Sequence, residues 1–99
     1  MNMQAMLRQA QQMQKEMLKS QEEINNTTFI GENGLVKITM KGTKKIEKVE
    51  IEKDENFTSD DLEMLEDMIL VATNSALEQI EKKTEEKMGK YTKGIPGLF

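Results

Sequence analysis

The sequence predicts an α+β chain: a long helix, a three-stranded antiparallel meander and a second long helix. Three observations carry that prediction. Apolar residues recur at heptad spacing over residues 2–25, with no Gly or Pro among them. Residues 27–52 change to alternating, β-branched segments cut by glycines. Residues 59–88 return to helical spacing with two adjacent apolar stripes.

In the first helix the seam is Met3, Met6, Ala10, Met13, Met17, Ser20 and Ile24. Gln, Lys and Glu, all good helix formers, fill most other positions. A helix of this length spans roughly 36 Å. Its seam is weak, with Met, Ala and Ser in place of Leu and Ile. Such a helix needs a packing partner, because tertiary contacts supply most helical stability. Asn25 and Asn26 supply the stop.

Thr27 to Ile30 reads as the first strand, and Gly31-Glu32-Asn33-Gly34 as the turn after it, with Asn-Gly the stronger signal. Leu35 to Met40 alternates, placing Val36, Ile38 and Met40 on one face. Gly42-Thr43 forms the next turn, and Ile46 to Ile51 the third strand. Ile46 is out of phase with Val49 and Ile51, which calls for a bulge or a turn-side contact. A meander this small needs a cover over its apolar face.

Thr58 with Asp61 approximates a capping box for the last helix. Leu62, Leu65, Ile69, Ala72, Ala76 and Ile80 form one stripe, and Met64, Met68, Val71 and Ser75 the other. One stripe is assigned to the sheet and the other to a partner. Beyond Ile80 the helix turns polar and is expected to project from the core, with Met88 its last apolar residue. Residues 1–88 are read as a single domain. Residues 89–99, with three Gly and the only Pro, are read as a flexible tail.

Composition narrows the function. Only 36% of the 99 residues are hydrophobic and 4% aromatic, so the core is thin and self-association is expected. There is no Cys and no His. Thiol chemistry, the near-neutral general base and the commonest metal ligand are therefore absent, and Ser20, Ser59 and Ser75 have no His to activate them. The acids Asp60, Asp61, Glu63, Glu66 and Asp67 lie in the first turns of a helix, where the dipole favours them without any metal. The glycines read as turn residues, not as a phosphate loop. The expectation is no enzyme, no cofactor, no metal and no small-molecule substrate. No segment reaches the ~20 apolar residues of a membrane span, and no secretory signal is present. A cytoplasmic protein is expected.

The net charge of −4, taken alone, argues against nucleic acid. The charge is segregated, however. Residues 50–81 hold eleven Asp and Glu against one Lys, while residues 82–99 hold five Lys against two Glu. Residues 1–21 carry Arg8, Lys15 and Lys19 against Glu16.

The order Gln9-Ala10-Gln11-Gln12-Met13-Gln14-Lys15-Glu16-Met17, Gly34-Leu35-Val36-Lys37-Ile38, Gly42, Val49-Glu50-Ile51 and Glu63-Met64-Leu65-Glu66-Asp67, followed by Asn74, Ala76 and a Gly- and Pro-containing tail, resembles the YbaB/EbfC family of nucleoid-associated proteins. The resemblance covers about Met6 to Phe99. It implies a tweezers-like homodimer whose sheets form the dimer core and whose long helices project as arms. It also implies binding to double-stranded DNA with little sequence specificity, and a place in the nucleoid. On that basis the expected DNA-binding residues are Arg8, Lys15, Lys19, Lys82, Lys83, Lys87, Lys90 and Lys93, acting on phosphate. The expected dimer core is Val36, Ile38, Met40, Val49, Ile51, Leu65, Ile69 and Ala72.

Competing readings stand beside these. Lys near a helix C-terminus is favoured by the dipole, and Glu78 with Lys82 and Glu86 with Lys90 have ordinary ion-pair spacing. Gln4, Gln11 and Gln12 suit phosphates or base edges, but the role of exposed helix formers is favoured for them. The Met-rich arms suit a protein-interaction or chaperone-like module as the alternative function.

Overall fold

A computed structural model describes residues 2–94, with side chains through Tyr91. The elements follow the expected order: α1 (Met3–Asn26), β1 (Thr28–Asn33), β2 (Val36–Lys41), β3 (Ile46–Ile51), a 3-10 turn (Ser59–Asp61) and α2 (Leu62–Gly94). The fold is α+β. The molecule is elongated, 71 × 22 × 14 Å.

Helix α1 starts where Asn2 caps it, its side-chain oxygen accepting from the Gln4 backbone N–H at 3.0 Å. It stops where Thr27 turns extended and its hydroxyl donates to the Glu23 carbonyl at 2.6 Å. At the start of the second helical segment, the Asp61 carboxylate accepts from the Thr58 backbone N–H at 2.9 Å. That is the expected capping interaction.

The sheet is an antiparallel meander in the order β1-β2-β3. Phe29 lies opposite Met40, Gly31 opposite Ile38, and Ile38 opposite Val49. These residues share the face under α2. The register shifts between Thr39 and Met40, so that Met40 pairs with Ile46 while Thr39 pairs with Lys48. Glu47 is the extra residue of the bulge. The bulge returns Ile46 to the face of Val49 and Ile51, which resolves its phase.

One turn differs from expectation. Gly31 is not a turn residue: β1 runs on to Asn33, and the reversal is the two-residue loop Gly34-Leu35. Gly34, with φ 55°, takes the left-handed position that a glycine occupies without steric cost. Gly31 faces α2 instead. A Cβ there would overlap the Ala72 carbonyl oxygen and come within 2.8 Å of the Ala76 nitrogen. The glycine lets the helix backbone lie directly on β1.

The core beneath α2 holds Phe29, Val36, Ile38, Met40, Ala72, Ala76 and Ile80. Of the first apolar stripe, Ala72, Ala76 and Ile80 are buried, Leu65 and Ile69 are half-buried, and Leu62 is exposed. Of the second stripe, Met64 and Val71 are exposed, and Met68 and Ser75 are half-buried. Met68 also reaches the hairpin, its sulfur accepting from the Leu35 N–H at 3.4 Å.

The second helix extends to Gly94, six residues beyond the expected end at Met88. Its far end leaves the sheet but does not stand alone. It packs on α1, and Tyr91 is buried there, only 4% exposed. The expected tail therefore begins as helix, because Gly89 interrupts without terminating it. A single Gly in a helix costs about 1 kcal/mol, which packing easily offsets. Residues 95–99 lie outside the described residues.

Candidate nucleic-acid interface

The basic residues come together on an arm formed by α1 and the second half of α2. Two features hold its base. Ile24 is buried, and its carbonyl sits where a Cβ on Gly42 would be, so the β2–β3 loop closes tightly on the end of α1. Lys41 reinforces the junction, donating from Nζ to the Asn26 carbonyl at 3.3 Å and to the Thr28 hydroxyl at 3.2 Å.

From there the two helices run antiparallel. The Lys87 ammonium meets the Glu23 carboxylate at 2.7 Å. On α1 the half-buried or buried positions are Met13, Met17, Ser20, Gln21, Ile24 and Asn25. The expected seam is thus used over its second half only, and Met3, Met6 and Ala10 are exposed. Tyr91 is the residue that pattern reading missed. It continues the line Ile80, Thr84, Met88 at spacings of 4, 4 and 3, a signal hidden by the Gly89 and Gly94 around it.

The Lys87 hydrogen bond and charge, helped by Lys19, hold the Glu23 carboxyl below the usual glutamate range. Its folded-state pKa is depressed. Its contribution to stability is therefore present above the unfolded value and lost as pH falls through the folded one. The pair is solvent-accessible, so the effect on stability is small. In a carboxyl NMR titration of the wild type, Glu23 should titrate below the usual glutamate range. In Lys87→Gln it should move back up towards that range; an unchanged Glu23 titration would refute the assignment of cause.

Arg8, Lys15 and Lys19 are exposed, and their spacings of 7 and 4 place them on the side of α1 turned away from its seam. On α2, Lys82 and Lys90 are exposed and Lys83 is half-buried. The Lys90 ammonium lies 5.1 Å from the centroid of the Tyr91 ring. The side chain of Lys93 lies outside the described residues. Among the described residues the ion pairs are Lys48–Glu50 and Lys87–Glu23. The spacing-based pairs Glu78–Lys82 and Glu86–Lys90 do not form. Among the described residues, Arg8, Lys15, Lys19, Lys82, Lys83 and Lys90 thus have no carboxylate at contact distance, whereas Lys87 is already engaged.

Most of the acids are placed elsewhere, although the arm itself carries Glu16, Glu22, Glu23, Glu81, Glu85 and Glu86. Glu52, Asp54, Glu55, Asp60, Asp61, Glu63, Glu66 and Asp67 lie on the loop after β3 and the first turns of α2, at the end of the molecule opposite the arm. Charge separates along the long axis, and an anionic rod is repelled from one end and attracted to the other.

The expected dimer residues fall into two groups. Val36, Ile38 and Met40 are buried beneath the chain's own α2 and Ala72 on that helix's inner face, with Leu65 and Ile69 half-buried at its margin. Val49 and Ile51 are half-exposed on β3, at 51% and 49%. No helix of the described residues is long and apolar enough to cross a membrane.

Comparison with known sequences converges on the same chemistry. A family model described as the YbaB/EbfC DNA-binding family matches residues 1–95. The chain is 49% identical over 98 residues to a nucleoid-associated protein of Lactococcus lactis subsp. lactis, covering 97% of this chain and 98% of the relative. It is 48% identical over 99 residues to a nucleoid-associated protein of Enterococcus faecalis, covering 98% of this chain and 94% of the relative. A nucleoid-associated protein of Ligilactobacillus salivarius is 44% identical over 100 residues, at 99% and 95% coverage.

Proposed function

Since the chain belongs to the YbaB/EbfC DNA-binding family, which is not an enzyme family, we propose that it is a nucleoid-associated protein that binds double-stranded DNA as a homodimer, with little sequence specificity. The contacts are chiefly from Lys and Arg to phosphate, which hold a duplex without reading its sequence. The observation that carries this reading is the arm, whose cations other than Lys87 have no carboxylate partner among the described residues and sit at the end opposite the densest acidic block. Its site is the cytoplasm, on the nucleoid.

The dimer forms through the flank made by β3 and α2. Ile46, Val49 and Ile51 lie on the face of the sheet that α2 covers elsewhere, but are about half-exposed there. Leu62 and Leu70 expose apolar surface on the same flank of α2. A two-fold axis through this flank buries both copies of the strip and doubles the arms. Of the expected dimer core, Val49 and Ile51 are then the contact residues, and the buried members support them from within.

Anisotropy titration of a random-sequence duplex tests DNA binding. At about 50 mM salt binding is expected at or below micromolar protein, weakening at least tenfold by about 200 mM. No binding at low salt, or binding indifferent to salt, would refute it.

A further inference from the structure

The N-terminal end of α1 carries an apolar patch that none of the described residues covers. Met3, Met6 and Leu7 are 78%, 51% and 59% exposed. Helix spacing makes them neighbours of one another and of Ala10. Taking the Lys87–Glu23 contact as reference, Gly94 lies at about the level of Glu16 on the antiparallel α1, so the end of α1 extends roughly 20 Å past α2. The burial pattern agrees, with Met13 half-buried and Ala10 exposed.

The surroundings of this patch are selective. Before Glu16 the only charged side chains are Arg8 and Lys15. Gln4 and Gln11 border Leu7 one turn away on either side. A patch of Met and Leu, edged by amides and cations and free of carboxylates, suits the interior of a polyanion. Pairing it with the same patch of a second copy would bring like charges together.

We propose that Met3, Met6 and Leu7 form a wedge that enters the minor groove of double-stranded DNA and partly unstacks a base step, kinking the duplex. Apolar side chains flanked by groups that reach phosphates and base edges act in this way. Pyrimidine–purine steps unstack most readily, so the wedge confers a preference for deformable DNA without reading bases. The inference rests on the DNA-binding reading above and goes beyond it.

The test uses the full chain and a duplex with 2-aminopurine beside a central TA step and a fluorophore pair at its ends. Wild type should raise the 2-aminopurine fluorescence and bring the ends closer. M3S/M6S/L7S should bind about tenfold more weakly, the effect of withholding roughly 60 Å² of apolar surface from burial. Its salt dependence should be unchanged and the unstacking signal lost at saturation. R8Q should behave oppositely, lowering the salt slope by about one for each Arg8 of the dimer that contacts phosphate while keeping the unstacking signal. Oxidation of Met3 and Met6 should be rapid in the free protein and slowed by DNA. Binding by wild type without unstacking, or unstacking retained in the triple variant, overturns the wedge and leaves DNA binding standing. Protection of Met3 and Met6 in the free protein, relieved by dilution or by deleting residues 95–99, would assign the patch to a second copy or to the C-terminal segment and also overturn it. No binding by wild type at low salt defeats both readings.

Discussion

Ile38→Asp should abolish folding, whereas Ile51→Asp should leave a folded monomer. Ile38 is buried at the centre of the sheet under α2, opposite Val49 and Gly31. A carboxylate there loses the packing of a large apolar side chain and is left desolvated with no partner, together at least about 4 kcal/mol. Domains of this size have total stabilities of about 5–15 kcal/mol, and a thin core lies towards the lower end. Circular dichroism should show the helical signal lost for Ile38→Asp at any protein concentration. Ile51 lies on the same face but is half-exposed at the flank. Its replacement should spare the helical signal. Sedimentation should then show a monomer, and the dependence of Tm on concentration should disappear. A dimer retained by Ile51→Asp would place the interface elsewhere.

Gly31→Ala, a single methyl, should cost about 3 kcal/mol or more. The added Cβ would overlap backbone atoms of Ala72 and approach Ala76, so no rotamer change can relieve it. Helix α2 must lift off β1, opening the contacts that Ala72 and Ala76 make by being small. Gly89→Ala is the control. It lies within α2, and among the described residues its added Cβ would meet the Glu85 side chain, at 4.0 Å, an ordinary contact distance. There the gain in helix propensity should stabilise by about 0.5–1 kcal/mol. Urea denaturation of the two variants should move the midpoint in opposite directions. Equal and small effects would mean that the helix does not sit on the strand as described.

The contrast between these glycines shows how far pattern reading reaches. Gly31 and Gly34 look alike in the sequence, bracketing Glu32-Asn33 in a segment dense in turn residues. Gly34 is the one the turn requires, because its φ is positive. Gly31 is required by a helix more than forty positions away, and no local signal reports that. Tyr91 is similar. Glycines on both sides give its segment the composition of a tail, and its burial depends on α1 lying within reach.

Periodicity and counting alone yielded the element order, the alternation that puts Val36, Ile38 and Met40 on one face, the phase conflict at Ile46, and the segregation of acid from base. These are local properties, set by 3.6-residue and two-residue repeats within one segment. The folded arrangement settled that a bulge at Glu47 resolves the conflict, which half of the α1 seam is covered, that the apolar strip of β3 is left half-bare, and which lysines have no carboxylate at contact distance among the described residues. Those outcomes depend on how far α2 runs and what it crosses. Packing between distant segments sets them, and no repeat within a segment encodes it.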